Sequence, residues 1–280
     1  MFNLVPVPFA PRAPESADLW HFIRCNQLGK LQTFMQHGIW LSRLDQFKDE
    51  LEGSLPRPNL GLLQKVLPTE MAESTEHSYK MAALRGYASC WHASEGDPSD
   101  EMWESKFGNK GRAIALRTSP ARLASTVSRF SEGPGPCYLG EIRYIDHRQD
   151  QVPEGNTLEV AFVVQDRFAF QREVRLYAHT LSASAIETLL TERIAPNESI
   201  ARLARPDEIL EFGSEIVGNI PPALGLELSA RHDGKAMILP IPASDYIDEI
   251  LVGPKARADD HQKLAQILRG YTLLDRLRCL

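Results

Sequence analysis

FAFQREVRLYA, residues 168–178, decides how this chain is read. Its aromatic and β-branched residues mark it as a strand, yet Gln171, Arg172, Glu173 and Arg175 interrupt it. Side chains on a strand alternate between faces. Phe168, Phe170, Arg172, Val174 and Leu176 then share one face, and Ala169, Gln171, Glu173, Arg175 and Tyr177 the other. Such a polar face has two explanations. Either it is solvated, with Glu173 paired to Arg175 or to a neighbouring strand, or it is the floor of a site in which a carboxylate is held for chemistry.

Upstream, LWHFI (19–23) reads as a strand and Asn26 to His37 as a helix, because Leu28, Leu31, Phe34 and Met35 recur at helical spacing. Gly38 stops that helix, and IWLSRL (39–44) alternates like a second strand. DQFKDELEG is an acidic turn, and residues 54–85 are polar loop and helices punctuated by Pro56, Pro58 and Pro68. YASCWHA (87–93), RAIALRT (112–118) and YLGEIRYID (138–146) are strands. A short helix starts near Pro98, and SPARLASTVSRF (119–130) is a helix with a serine cap. GPGPC (133–137) is a turn, and LEVAFVVQ (158–165) is open between helix and strand. SASAIETLLTERIA (182–195) fits a helix, MILPIPA (237–243) is extended, YIDEILVGP (246–254) is a strand, and Asp259 to Leu280 reads as one closing amphipathic helix.

No repeat or low-complexity linker divides the chain, so the fold class expected is α+β. Residues 1–17, with Pro6, Pro8, Pro11 and Pro14, form an extended arm, and residues 18–280 a single domain built on a central, mostly antiparallel or split sheet with flanking helices. The 280 residues are 43% hydrophobic and 24% charged, an ordinary globular composition. The net charge of −6 gives no whole-chain attraction to nucleic acid or anionic membrane. Cys25, Cys90, Cys137 and Cys279 form no C-x-x-C pair, which fits reduced thiols and a cytoplasmic location. No run reaches membrane-spanning length, so no membrane partner is expected. Walker A, G-x-G-x-x-G and G-x-S-x-G motifs are all missing, which disfavours P-loop, Rossmann and α/β-hydrolase chemistry.

Several elements carry a resemblance when taken in order: LWHFI, GIWLSRLDQFKDELEG, YASCWHAS, EMWESKFGNKGRAIAL, FAFQREVRL and IDEILVGPKA. Together they resemble a family of bacterial domains of unknown function across nearly the whole chain. The sequence departs from that pattern at His21, Lys48, Phe107 and Gln171.

More distantly, the layout resembles ADP-ribosyltransferases. LWHFIRCNQLGKLQTFMQHGIWLSR has the opening strand–helix–strand shape, YAS (87–89) can supply the serine motif, and Gln171-Arg172-Glu173 the late Gln/Glu-x-Glu. That resemblance implies transfer of ADP-ribose from NAD to an unknown protein or nucleic-acid acceptor, as in a toxin or phage-defence effector with an antitoxin or defence-system partner. It implies Glu173 as the carboxylate that stabilises charge on the ribose, with Gln171 orienting the acceptor. His21 and Ser89 would hold ribose, and Trp91 or Trp103 would stack on nicotinamide. Arg24, Arg112, Arg172 and Arg175 are the candidates for the pyrophosphate, with Arg175 also the candidate for an internal partner of an acid.

Two other readings stay open: a non-catalytic nucleotide- or partner-binding module, and a metal-dependent nuclease or hydrolase using Glu173 with Asp45, Asp49, Glu50 and Glu52. Cap and turn roles are the simpler account of that acidic stretch. Cys90 and His92 share a strand face, but without the paired spacing of a zinc site.

Overall fold

The computed structural model describes residues 16–47, 49–105, 107–129, 137–152, 158–179 and 236–280. Residues 1–15, 133–136 and 182–195 lie outside that set, so most of the arm, most of the GPGPC turn and the expected helix over 182–195 do too.

Strand β1 (Asp18–Arg24) leads through a 3-10 turn into helix α1 (Leu28–His37), which ends at Gly38 and returns as β2 (Ile39–Arg43). Gly38 has a φ of +111°, and a Cβ there would stand 2.0 Å from the Leu239 carbonyl oxygen, so only glycine fits this stop. Helices α2 (Arg57–Val66) and α3 (Thr69–Arg85) follow, each entered from a proline cap residue. Then come β3 (Gly86–Ser94), α4 (Asp100–Glu104), β4 (Ala113–Thr118) and α5 (Pro120–Arg129). Ser99 caps α4, its hydroxyl accepting from the Met102 N–H.

The remaining strands are β5 (Cys137–Glu141), β6 (Arg143–Ile145), β7 (Val163–Gln165), β8 (Glu173–His179), β9 (Ala236–Leu239), β10 (Glu249–Val252) and β11 (Leu277–Cys279). Helix α6 (Ala243–Tyr246) precedes β10, and α7 (Ala258–Arg269) follows it. The molecule is thus mixed helix and sheet around a central, mostly antiparallel sheet. Among the described residues, no helix is long and apolar enough to cross a membrane.

Strand β3 organises the sheet. Along one edge it pairs antiparallel with β8 from Gly86–His179 to His92–Glu173, and β8 carries β5. Its other edge is shared. Leu19 and Trp20 of β1 pair with Ala93 and His92, whereas Ser42 and Arg43 of β2 pair with Ala88 and Tyr87. Between those pairings β1 and β2 part, and the sheet forks. β1 continues to β4, β10 and the parallel β11, and β2 continues to β9.

Both faces are covered. Leu19, Ile23, Trp91, Ile114, Leu116, Val174 and Leu176 pack with α1, α5, α6 and α7 residues in the main core. The opposite face carries Tyr177 with Phe162 and Val164 in one patch, and Trp20 with Trp103, Ala113 and Ala115 in another. Burial on both sides explains why β3 and β4 read as apolar runs instead of alternating.

Three expectations are corrected. The strand over FAFQREVRLYA starts only at Glu173, since Asp166–Gln171 is a 3-10 helix closed by Arg172 at φ +40°. Among the described residues the aromatics there have no neighbouring strand: Arg172 and Glu173 carbonyls take the last bonds, from Ala93 and Ile142 N–H groups. Strand propensity is realised only against such a neighbour. YLGEIRYID is two strands, because buried Ile142 interrupts it and β6 leaves to pair with β7. The closing helix ends at Arg269. After Gly270 and Thr272, at φ +55°, the chain turns back to pair β11 with the edge of β10.

Candidate active site

A cleft of about 410 Å3 opens on the sheet face that carries Tyr177, between its two apolar patches. Strand β8 supplies Glu173 and Arg175, which stay on one face because the alternation expected from the sequence holds from Glu173 onward. β3 supplies Cys90 and His92 at the register positions opposite Arg175 and Glu173. The turn after β2 supplies Phe47, Asp49 and Glu52. Phe107, Phe168 and Phe170 complete aromatic walls, and Phe107 and Phe170 are exposed at 40% and 41%.

Arg175 is the electrostatic centre. It is 1% exposed and its guanidinium pairs with Glu52 at 2.6 Å and Glu173 at 2.8 Å. It also donates to the Ala161 carbonyl at 2.5 Å and lies 5.4 Å from the centre of the Phe47 ring. A cation this deeply buried is held only because carboxylates and a carbonyl replace its water. Burial, against the pull of Arg175, lifts the Glu52 carboxyl to about 7. Cys90 is a protonated thiol: burial pushes it well up, and Glu173 beside it adds to the shift as a hydrogen-bond partner. The backbone N–H of Glu173 donates to the Tyr144 hydroxyl at 2.7 Å.

His21 sits in the fork of the sheet. Where β1 leaves β3, its Nδ1–H donates to the Cys90 carbonyl at 2.9 Å, filling a ladder bond the split leaves open. Its ring lies 4.9 Å from Phe34 and 5.3 Å from Trp91, and burial depresses it to about 4, so it is neutral near pH 7. His92 donates through Nδ1 to the Gln171 carbonyl at 2.7 Å, and burial lowers its pKa too.

The cleft brings together Gln171, Glu173 and Arg175, with His21, Trp91 and Arg24 on its lining; the Trp91 ring is 1% exposed and packs in the main core on the other side of β3. Gln171 reaches it from the end of the 3-10 helix and not by alternation with Glu173. Four expected residues lie elsewhere, Arg172 among them, exposed at the left-handed position between the 3-10 helix and β8. Ser89 shares the Trp91 side of β3, opposite Leu176, and its buried hydroxyl has no partner among the described residues; Cys90, one residue on, faces Glu173 instead. Trp103 packs against Phe22, their ring centres 5.0 Å apart, beneath the Gly108–Gly111 turn. Arg112 makes a bidentate pair with Asp260 in the first turn of α7, at 2.8 and 3.0 Å.

By sequence pattern Asp49 and Glu52 are chiefly turn residues, and Phe47, Cys90 and His92 are not among the expected NAD-site residues. The usable signal was the spacing Asp49-x-x-Glu52-Gly53, which places both acids on one tight turn; Gly53 has a φ of +69°. Among the described residues no group of three or more His, Cys, Asp or Glu side chains is arranged to hold a metal ion. Glu52 and Glu173 converge on a guanidinium. Comparison with models of protein families, with curated proteins and with solved structures returns no match.

Proposed function

We propose that this protein is an ADP-ribosyltransferase-like enzyme that cleaves NAD in the cleft beside the fork of its sheet. The observation that carries this reading is the meeting, in one aromatic-walled cleft, of His21 from β1 and Glu173 from β8. Breaking the nicotinamide–ribose bond builds positive charge on the sugar, and a carboxylate fixed nearby stabilises that charge without reorganising. The Glu173 carboxylate is fixed in this way by Arg175 and the Cys90 thiol, and its backbone N–H is held by the Tyr144 hydroxyl. The neutral His21 imidazole offers a hydrogen bond to a ribose, the exposed phenylalanines offer stacking for a planar base, and Arg24 offers charge to a phosphate.

The test is incubation of the protein with NAD carrying a labelled nicotinamide, with and without cell lysate. Release of label, with ADP-ribose on a lysate component, supports the reading, and failure to bind NAD in calorimetry removes it. The second reading is a nucleotide-binding module without turnover. It is favoured by the ion pair that already occupies Glu173, and NAD binding without nicotinamide release would identify it.

A further inference from the structure

The Glu173 carboxylate is engaged by Arg175 and by the Cys90 thiol. It must also stay charged while the ribose carries positive charge. An oxygen nucleophile that attacks the ribose carbon has a proton to lose, and Glu173 cannot take it without giving up that charge. The proton needs another acceptor.

His92 offers one. It lines the cleft at 7% exposure, at the register position opposite Glu173. Side chains paired in this way have Cβ atoms about 4.5–5.5 Å apart. The bond from Nδ1–H to the Gln171 carbonyl, at 2.7 Å, fixes the tautomer, so in the neutral ring Nε2 carries the lone pair. Among the described residues Nε2 has no hydrogen-bond partner. Both ring nitrogens of His147 are sealed without partners, whereas the free nitrogen of His92 is not sealed. A nearly buried imidazole with one nitrogen anchored and the other open beside a carboxylate is an oriented base. Burial first, and the Arg172 charge after it, keep the ring deprotonated near neutral pH. The cleft's other bases are placed less well: Glu52 is held by Arg175, and His21, on β1, stands one strand further from Glu173.

We propose that His92 is the general base of the cleft, its Nε2 taking the proton of the nucleophile that attacks the ribose carbon. This role rests on the NAD-cleaving reading. Nicotinamide leaves with the electron pair of its bond to the ribose. A lone pair on the nucleophile's oxygen, that of water when no acceptor is present, forms the new bond to that carbon. The O–H proton passes to Nε2 and from there to solvent, which restores the neutral ring.

His92→Asn tests this role, because its amide NH2 still has the Gln171 carbonyl to donate to while nothing replaces Nε2. Hydrolysis of NAD to ADP-ribose should fall at least about a hundredfold, within the range that general-base catalysis contributes. NAD affinity in calorimetry should change less than about threefold, since the proton moves only as the bond forms. Azide is an anionic nucleophile with no proton to lose. Added to His92→Asn with NAD, it should form ADP-ribosyl azide at least about tenfold faster than the variant hydrolyses NAD. Hydrolysis at the unaltered rate overturns the base. A rate loss matched by a loss of NAD affinity overturns it as well, because His92 would then only shape the cleft. So does azide that fails to raise turnover, because the missing step would not be deprotonation. No NAD cleavage by the unaltered chain removes the NAD reading and the base with it, whereas cleavage that His92→Asn retains in full removes the base alone.

Discussion

Glu173→Gln separates chemistry from scaffolding, provided Glu52→Gln is measured beside it. Both carboxylates contact the buried Arg175 guanidinium, at 2.8 and 2.6 Å, and both side chains are nearly inaccessible, at 8% and 4%. Stripping a buried ion of its only partner costs about 3–5 kcal/mol. Here each variant leaves the other carboxylate and the Ala161 carbonyl in place, and Gln keeps an acceptor oxygen. The cost should fall to about 1–3 kcal/mol, the range for a hydrogen bond to a charged group. At this chain length that lowers Tm by roughly 2–12 °C. The two variants therefore lose similar stability.

They should differ in rate. Losing the charge at Glu173 should slow nicotinamide release at least about a hundredfold, or about 2.7 kcal/mol of transition-state stabilisation. NAD affinity should change much less, because the charge is needed only as the bond breaks. Glu52→Gln should lose less than about tenfold in rate. Thermal melts and a nicotinamide-release assay on the two proteins settle it. Equal rate losses that track the Tm values would show that Glu173 only pairs Arg175, and the catalytic assignment would fall.

The remaining expectations concern pH, a glycine and an arginine. Glu52 has its folded pKa raised to about 7 by burial, so between about 4.5 and 7 the folded state binds the extra proton and stability falls as pH rises. His21, depressed to about 4, binds its proton more readily when unfolded, so between about 4 and 6.5 stability rises with pH. The two trends oppose each other. Melting curves should therefore show a steeper rise with pH over that lower window in Glu52→Gln, and a net fall toward pH 7 in His21→Phe. Gly38→Ala should cost about 3 kcal/mol or more, from positive φ and a Cβ driven into the Leu239 carbonyl, read as a lower urea midpoint. Arg112→Ala should leave NAD affinity unchanged in calorimetry, since its guanidinium is spent on Asp260 at the start of α7 and does not line the cleft.

Local pattern was enough for much of this chain. The strand–helix–strand opening, the Gly38 stop, the short helix near Pro98 and the apolar run of β4 were legible because helical periodicity and the punctuation of glycine and proline act within a few residues. Alternation along β8 placed Glu173, Arg175 and Tyr177 on one face before any neighbour was known.

What lay beyond the sequence depends on which strands meet. Residues 168–171 carry strand-forming aromatics, but among the described residues no strand lies beside them, so they coil and become a wall of the cleft. The frame of β3 is set by its register with β8, and that register turns Cys90 and His92, not Ser89, toward Glu173. A one-residue slip would have exchanged them. Asp49 and Glu52 looked like turn residues because a turn is what they build locally. Only the packing of that turn over β8, more than a hundred residues away in the chain, sets their carboxylates in the cleft with Arg175. Distant charges share one desolvated volume only in the folded chain, and that is where the chemistry of this site was decided.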